Sequence, residues 1–166
     1  MGNSTSVGVK GKPHGDGISV WYSAQQVDGT AITATLKAGS FVCWSYANFN
    51  GGTLGTTVTR PQTEIFKMFA GVVPDGHPDV TSAQWITILP TCSAATVLVD
   101  GGTNDIDIGD GLQLVDDQFY AEDAGSTATT DATVQIVVGT ALSAQTAAAA
   151  AGITCSAIIG PAGRYC

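Results

Sequence analysis

Apolar and polar residues alternate with period two in many short runs, each closed by Gly, Asn, Asp or Pro. Such alternation places apolar side chains on one face of a strand and polar ones on the other. Ile18 to Tyr22 is the first strand of this kind. Thr30 to Leu36 is β-branched and predicts a second. Phe41 to Tyr46 gathers Phe41, Trp44 and Tyr46, and Thr56 to Arg60 is a short strand stopped by Pro61. Glu64 to Val73 is the most apolar stretch of the first half and is predicted core. Gln84 to Leu89 alternates around Trp85, Ile86, Ile88 and Leu89, and Ala95 to Val99 follows. Asp28-Gly29, Asn50-Gly51-Gly52 and Asp100 to Asn104 mark turns between them.

The stretch Asp105 to Leu142 reads as one unit. Ile106 and Ile108 alternate with Asp105 and Asp107, Gly109-Asp110-Gly111 makes a turn, and Leu112 and Leu114 flank Gln113. The tract Gly125 to Asp131 is too polar and Gly-rich to pack a core, which predicts a loop. Val134 to Val138 is a continuous apolar strand closed by Gly139, and Ile153 to Ile159 is the last strand. One segment breaks the period. Ser143-Ala-Gln-Thr, an alanine run and Gly152 give an N-cap, high helix propensity and a C′ glycine. That predicts one helix of about two turns, too short to stand without docking on the sheet. Phe69-Ala-Gly-Val-Val and Val138-Gly-Thr-Ala-Leu each hold a glycine inside an apolar strand, a sign of a bulge or of close backbone approach.

The fold class is therefore all-β: a small sandwich or barrel of about ten short strands, one short Ala-rich helix and an extended N-terminal arm. The arm is residues 1–17, and residues 18–166 form a single β-rich domain.

Composition adds exclusions. Charged residues are 12% and apolar ones 44% of 166 residues, with 21 glycines, which suits short strands and tight turns rather than disorder. Net charge is −8 with six basic residues, so no basic patch exists for nucleic acid. The acids cluster between Asp100 and Asp131, as expected for solvated sheet edges. No run of about 18 apolar residues predicts a membrane span. Met1 to Ser6 lacks the basic and apolar regions of a secretory leader, although Gly2 and Ser6 fit the short myristoylation pattern. Lys10, Lys12 and His14 make the arm the only positive segment, suited to an acidic neighbour such as another copy of the chain.

Candidate chemistry is sparse. Cys43, Cys92, Cys155 and Cys166 show no C-x-x-C spacing. Cys43 is expected to pack as a small apolar residue. Cys155 and Cys166 are placed to bridge across Gly160-Pro-Ala-Gly, and four reduced thiols are the other expectation. His77 stands between Asp75 and Asp79, types that could ligate a metal or act as a base, but a lone loop histidine is ordinarily solvated. Asp100 to Asp110 has the acids of a calcium loop without its spacing, since the turn glycine and the closing Glu are misplaced. No nucleophile elbow and no P-loop occur, so no enzyme and no cofactor are expected. Trp21, Tyr22, Phe41, Trp44 and Tyr46 could form a carbohydrate platform, but strand aromatics more often serve core or subunit contact.

Ile108-Gly-Asp-Gly-Leu112, the Ala/Thr/Gly-rich tract after it, and Val138-Gly-Thr-Ala-Leu-Ser-Ala144 resemble the head decoration (cement) proteins of tailed bacteriophages. Ala70-Gly-Val-Val73 resembles that family's short Gly-Val strand. The likeness covers about 40 residues well and about 100 loosely. It implies a non-enzymatic virion protein, made in the host cytoplasm, that coats the outer capsid surface and staples neighbouring capsid subunits. The implied partners are the major capsid protein and the chain itself, as a homotrimer. On this reading Lys10, Lys12, His14 and Ile18 contact the capsid, and Trp21, Trp44 and Trp85 form the subunit interface. A fibre- or tail-associated protein that binds a host glycan is the alternative. A secreted adhesin is disfavoured by the missing leader.

Overall fold

A computed structural model describes residues 17–47, 50–91, 94–100, 105–125, 136–146 and 152–160. It holds ten strands: β1 (Ile18–Tyr22), β2 (Phe41–Trp44), β3 (Thr57–Thr59), β4 (Phe69–Val72), β5 (Gln84–Ile88), β6 (Ala94–Val99), β7 (Gly111–Leu114), β8 (Ala121–Asp123), β9 (Val137–Ala141) and β10 (Ile153–Ile159). The first five form a sheet in the order β4-β2-β3-β1-β5, and the last five close into a barrel in the order β10-β6-β8-β7-β9. The all-β expectation is borne out, with one short helix.

The sheet forms because its strands alternate. Val20, Tyr22, Val42, Val58, Ile86 and Ile88 converge on one side into a core with Ile32, Leu36, Ala70, Val73 and Val80. Burying one such side chain contributes roughly 1.5–3 kcal/mol. The other face of β2 sends Phe41 and Cys43 into a second core, shared with the barrel interior of Val97, Val99, Leu112, Ala121, Val138, Ala141, Cys155, Ala157 and Ile159. Hydrogen bonds from Phe41 N to Phe119 O (2.9 Å), Leu98 N to Gly39 O (2.9 Å) and Asp117 N to Pro61 O (3.0 Å) fasten one unit to the other.

Both interior glycines behave as the sequence suggests. Gly71 adopts φ +153°. A Cβ there would lie 2.1 Å from the Leu89 carbonyl oxygen, and the β2–β4 register shifts beside it at Val42/Cys43. A Cβ at Gly139 would stand 3.0 Å from the Ile158 carbonyl oxygen, and the β7–β9 register shifts at Leu112/Gln113.

Three expectations are corrected. Thr30 to Leu36 is not a strand. It touches the rest through isolated bridges, Gln25↔Ala31 and Leu36↔Val80, with Ile32 and Leu36 as buried anchors. The ladder positions beside β1 are already taken by β3 and β5. Asp105 to Ile108 likewise makes a single bridge, Ile106↔Gln145, and Ile108 sits in a turn at 71% exposure while Ile106 is fully buried. Glu64 to Val73 does supply core, through Ile65, Ala70, Val72 and Val73, and its first half is wound into a 3₁₀ helix, Thr63–Met68, with Glu64 in its first turn and Lys67 in its last. Lastly, Ser143 to Thr146 is non-helical. Ser143 does not cap a helix there: its hydroxyl accepts the Ser156 N–H at 3.0 Å. Residues 147–151, the alanine run, lie outside the described residues, as do residues 126–131 of the expected loop and the beginning of the strand at Val134.

Candidate interaction surfaces

Alternation in β1 and β5 turns Ser19, Trp21, Trp85 and Thr87 to the side away from the Val20/Ile86 core. Trp21 pairs directly with Trp85 in the antiparallel register. Their rings meet edge to face, with centroids 5.6 Å apart and an interplanar angle of 74°. Trp85 is 59% exposed. Trp21 is half-buried, because the loop before β3 lies on it. A Cβ on Gly52 would come within 2.9 Å of Trp21 Cδ1. Trp21 N donates to Thr56 O at 2.8 Å. The indole Nε1 of Trp21 is buried with no partner among the described residues. Leu54, near the tip of that loop, and Tyr46, just beyond β2, are both exposed.

Trp44 faces elsewhere. It packs half-buried against the sheet core beside Val58, so it does not join the Trp21–Trp85 pair. Ile18 opens β1 and is partly exposed. Lys10, Lys12 and His14 lie outside the described residues.

A second apolar surface lies on the barrel wall, where sequence reasoning placed none. Ile108, Leu142 and Ile158 are exposed. Gly109 N donates to Ala141 O (2.9 Å) and Ala141 N to Asp110 O (2.9 Å), which brings Ile108 to the rung beside Leu142. Leu142 N in turn donates to Ser156 O at 2.7 Å. Because Ile158 pairs with Thr140, Leu142 and Ile158 are diagonal neighbours on the outer face. The signal available in the sequence was the outward phase of Leu142 and Ile158 against buried Ala141, Ala157 and Ile159.

The remaining candidates do not converge into a reactive centre. His77 Nδ1 meets the Pro78 carbonyl at 2.8 Å, while Asp75 Oδ2 accepts the Thr96 hydroxyl at 2.8 Å. Asp107 N donates to Asp110 Oδ2 at 2.7 Å, so this pair forms a turn. Among the described residues no three His, Cys, Asp or Glu side chains gather as metal ligands. Burial pushes the Cys43 thiol up to about 12, which keeps it protonated and unreactive. Burial also lifts the Tyr22 phenol to about 12 against the lowering pull of Arg60. Cys155 is a free, buried thiol whose Sγ donates to Ser143 O at 3.2 Å, and Cys92 and Cys166 lie outside the described residues. A cleft of about 180 Å³ between the 3₁₀ helix and β9 is lined by Phe66, Lys67, Phe69, Thr91, Ile136, Val137 and Val138. None of these is an acid, a histidine or a thiol. Among the described residues no helix is long and apolar enough to cross a membrane.

No family model matches the chain, and no curated protein matches it. Among solved structures, the chain is similar to the head fiber gp8.5 N base of bacteriophage phi29. The two share 15% identity, with 87% of this chain and 93% of that one covered, at a TM-score of 0.44. A likeness of that size carries no argument about function.

Proposed function

We propose that this chain is a structural virion protein that binds the outside of an icosahedral phage capsid and bridges neighbouring capsid subunits as a homotrimer. The observation that carries the reading is where the cement-like segments fall. Ile108 to Leu112 and Val138 to Leu142 are distant in sequence, yet they form one ladder of the closed barrel, with Gly111 against Thr140 and Leu112 against Gly139. A pattern that is also a folding unit is a stronger resemblance than two scattered strings. The absence of a converged reactive cluster among the described residues is compatible with a non-enzymatic role.

In this reading the Trp21–Trp85 pair belongs to the subunit interface, with Trp44 supporting it from the sheet core. The arm with Lys10, Lys12 and His14, continued by Ile18, grips the shell. Trimerisation multiplies weak contacts into avidity. Mixing the purified protein with capsids that lack it, followed by sedimentation and negative-stain imaging, tests the proposal. Regular added density on the capsid is expected, and no co-sedimentation at micromolar concentration would refute it. Deleting residues 1–17 is expected to weaken binding and capsid heat resistance, and unchanged values would remove the arm from the contact. Light scattering after size exclusion checks the trimer, for which a monomer at high concentration is the contrary result.

The exposure of Trp85 supports a second reading, a fibre- or tail-associated protein that binds a host glycan. Quenching of tryptophan fluorescence by glycan, without capsid binding, selects that reading.

A further inference from the structure

We infer that the barrel-wall patch of Ile108, Leu142 and Ile158 is a second shell-contact surface. Its partner would be a protein surface that presents aliphatic side chains flanked by Lys or Arg. The inference rests on the capsid-binding reading above and names where on the barrel that contact is made.

The patch is built rather than incidental. Closing a barrel removes strand edges, so its outer face is free to be polar throughout. Neighbouring outward positions on β9 and β10 are polar as expected, Thr140, Ser156 and Thr154, while the next strand, β6, sets Ala94 beside Ile158 and Leu98 beside Thr154. Leu142 and Ile158 break that rule, at 44% and 47% exposure. Ile108 joins them from the turn before β7. An exposed aliphatic cluster of this kind gains by being covered. Charge decides what covers it. Asp107 is exposed next to Ile108, Asp110 is two residues beyond it, and the whole chain carries −8 with six basic residues. The folded body of a second copy would bring like charge to this rim, whereas a basic-flanked surface complements it and is steered toward it.

The location also fits bridging. The patch belongs to the barrel and the Trp21–Trp85 pair to the sheet unit, so each surface can be altered without touching the other. A bridge between two subunits needs more than one contact, and the arm and the patch supply two.

The test uses the full chain and capsids lacking it, with binding isotherms by sedimentation for Leu142→Lys, Ile158→Lys and the milder Leu142→Ser. Thr33→Lys adds the same charge at an exposed position of the sheet unit and serves as control. Near-UV circular dichroism confirms that each variant is folded. Expected is a tenfold or greater loss of affinity for the lysine variants, a smaller loss for Leu142→Ser, and wild-type binding for the control. Asp107→Asn is expected to reduce the salt dependence of binding. If wild type binds and the lysine variants bind equally well, the patch is not a contact, although the capsid-binding reading stands. If wild type itself fails to bind, the reading falls and the inference with it.

Discussion

The sheet unit and the barrel solve the same problem differently. The sheet's end strands, β4 and β5, are joined by a single bridge, Val72↔Leu89, and its core is filled with large side chains: Tyr22, Leu36, Ile86 and Ile88 are all nearly inaccessible. The barrel has no outer strand, and its narrow interior is completed by Ala121, Ala141 and Ala157 between valines and isoleucines. A five-stranded barrel has less room than the eight-stranded kind whose interior side chains just fill it. The sheet unit should therefore suffer most when backbones are forced apart, and the barrel when volume is added.

The largest effect is expected at Gly71. An alanine there combines a backbone conformation that L side chains avoid with a carbonyl oxygen 2.1 Å from the new Cβ. A loss of about 3 kcal/mol or more should follow. Gly139→Ala meets its carbonyl at 3.0 Å without a positive φ, so about 1 kcal/mol is expected. Urea melts of the two variants check the contrast, and equal losses would break it. Ala157→Leu overfills the barrel and should cost about 1–3 kcal/mol. Thr33→Leu, on the exposed surface of the sheet unit, should stay within about 0.5 kcal/mol.

Alkali should find the sheet unit first. Tyr22 and Cys43 both have folded-state values near 12, above their ordinary 10.0 and 9.0. The unfolded chain loses these protons first, so their stabilisation is complete below pH 9 and falls away as pH rises from 9 toward 12. Thermal melts across that window should show declining midpoints, with a shallower decline in Cys43→Ala. A flat profile in wild type would contradict the burial of these groups. A small effect is expected at the junction pair. Arg60 Nη2 lies 3.1 Å from Asp117 Oδ1, which also accepts Gln26 Nε2 at 2.7 Å. Asp117→Asn keeps a residue tolerant of φ +56° while removing the charge, for a loss of about 0.5–1 kcal/mol.

Legibility in the sequence followed the strength of the local pattern. β1 and β10 were readable to the residue because alternation alone determines which face is buried. The two interior glycines were readable because an apolar strand has little other use for one. β8 was missed, since Ala121-Glu122-Asp123 has no apolar run and is strand by virtue of pairing with β7. The 3₁₀ helix was hidden inside an apolar stretch. Pro61 upstream, Glu64 early and Lys67 late were its available signals. Thr30 to Leu36 had β-branched composition but no free ladder to join. At the candidate surfaces, the pairing of Trp21 with Trp85 follows from the β1–β5 register, which no local pattern contains, and Trp44 packs half-buried against the sheet core. Ile108 looked like an inward strand residue, and its turn placement depends on a rung with Ala141 more than thirty positions away, which no local window contains.

We propose above that this chain holds a shell together. The most direct test of that proposal is the temperature at which genome-filled capsids lacking the protein release their DNA, measured with a DNA-binding dye before and after saturation with the purified chain. The account predicts a rise in release temperature that saturates with occupancy and shrinks for Leu142→Lys. An unchanged release temperature on fully decorated capsids would contradict it.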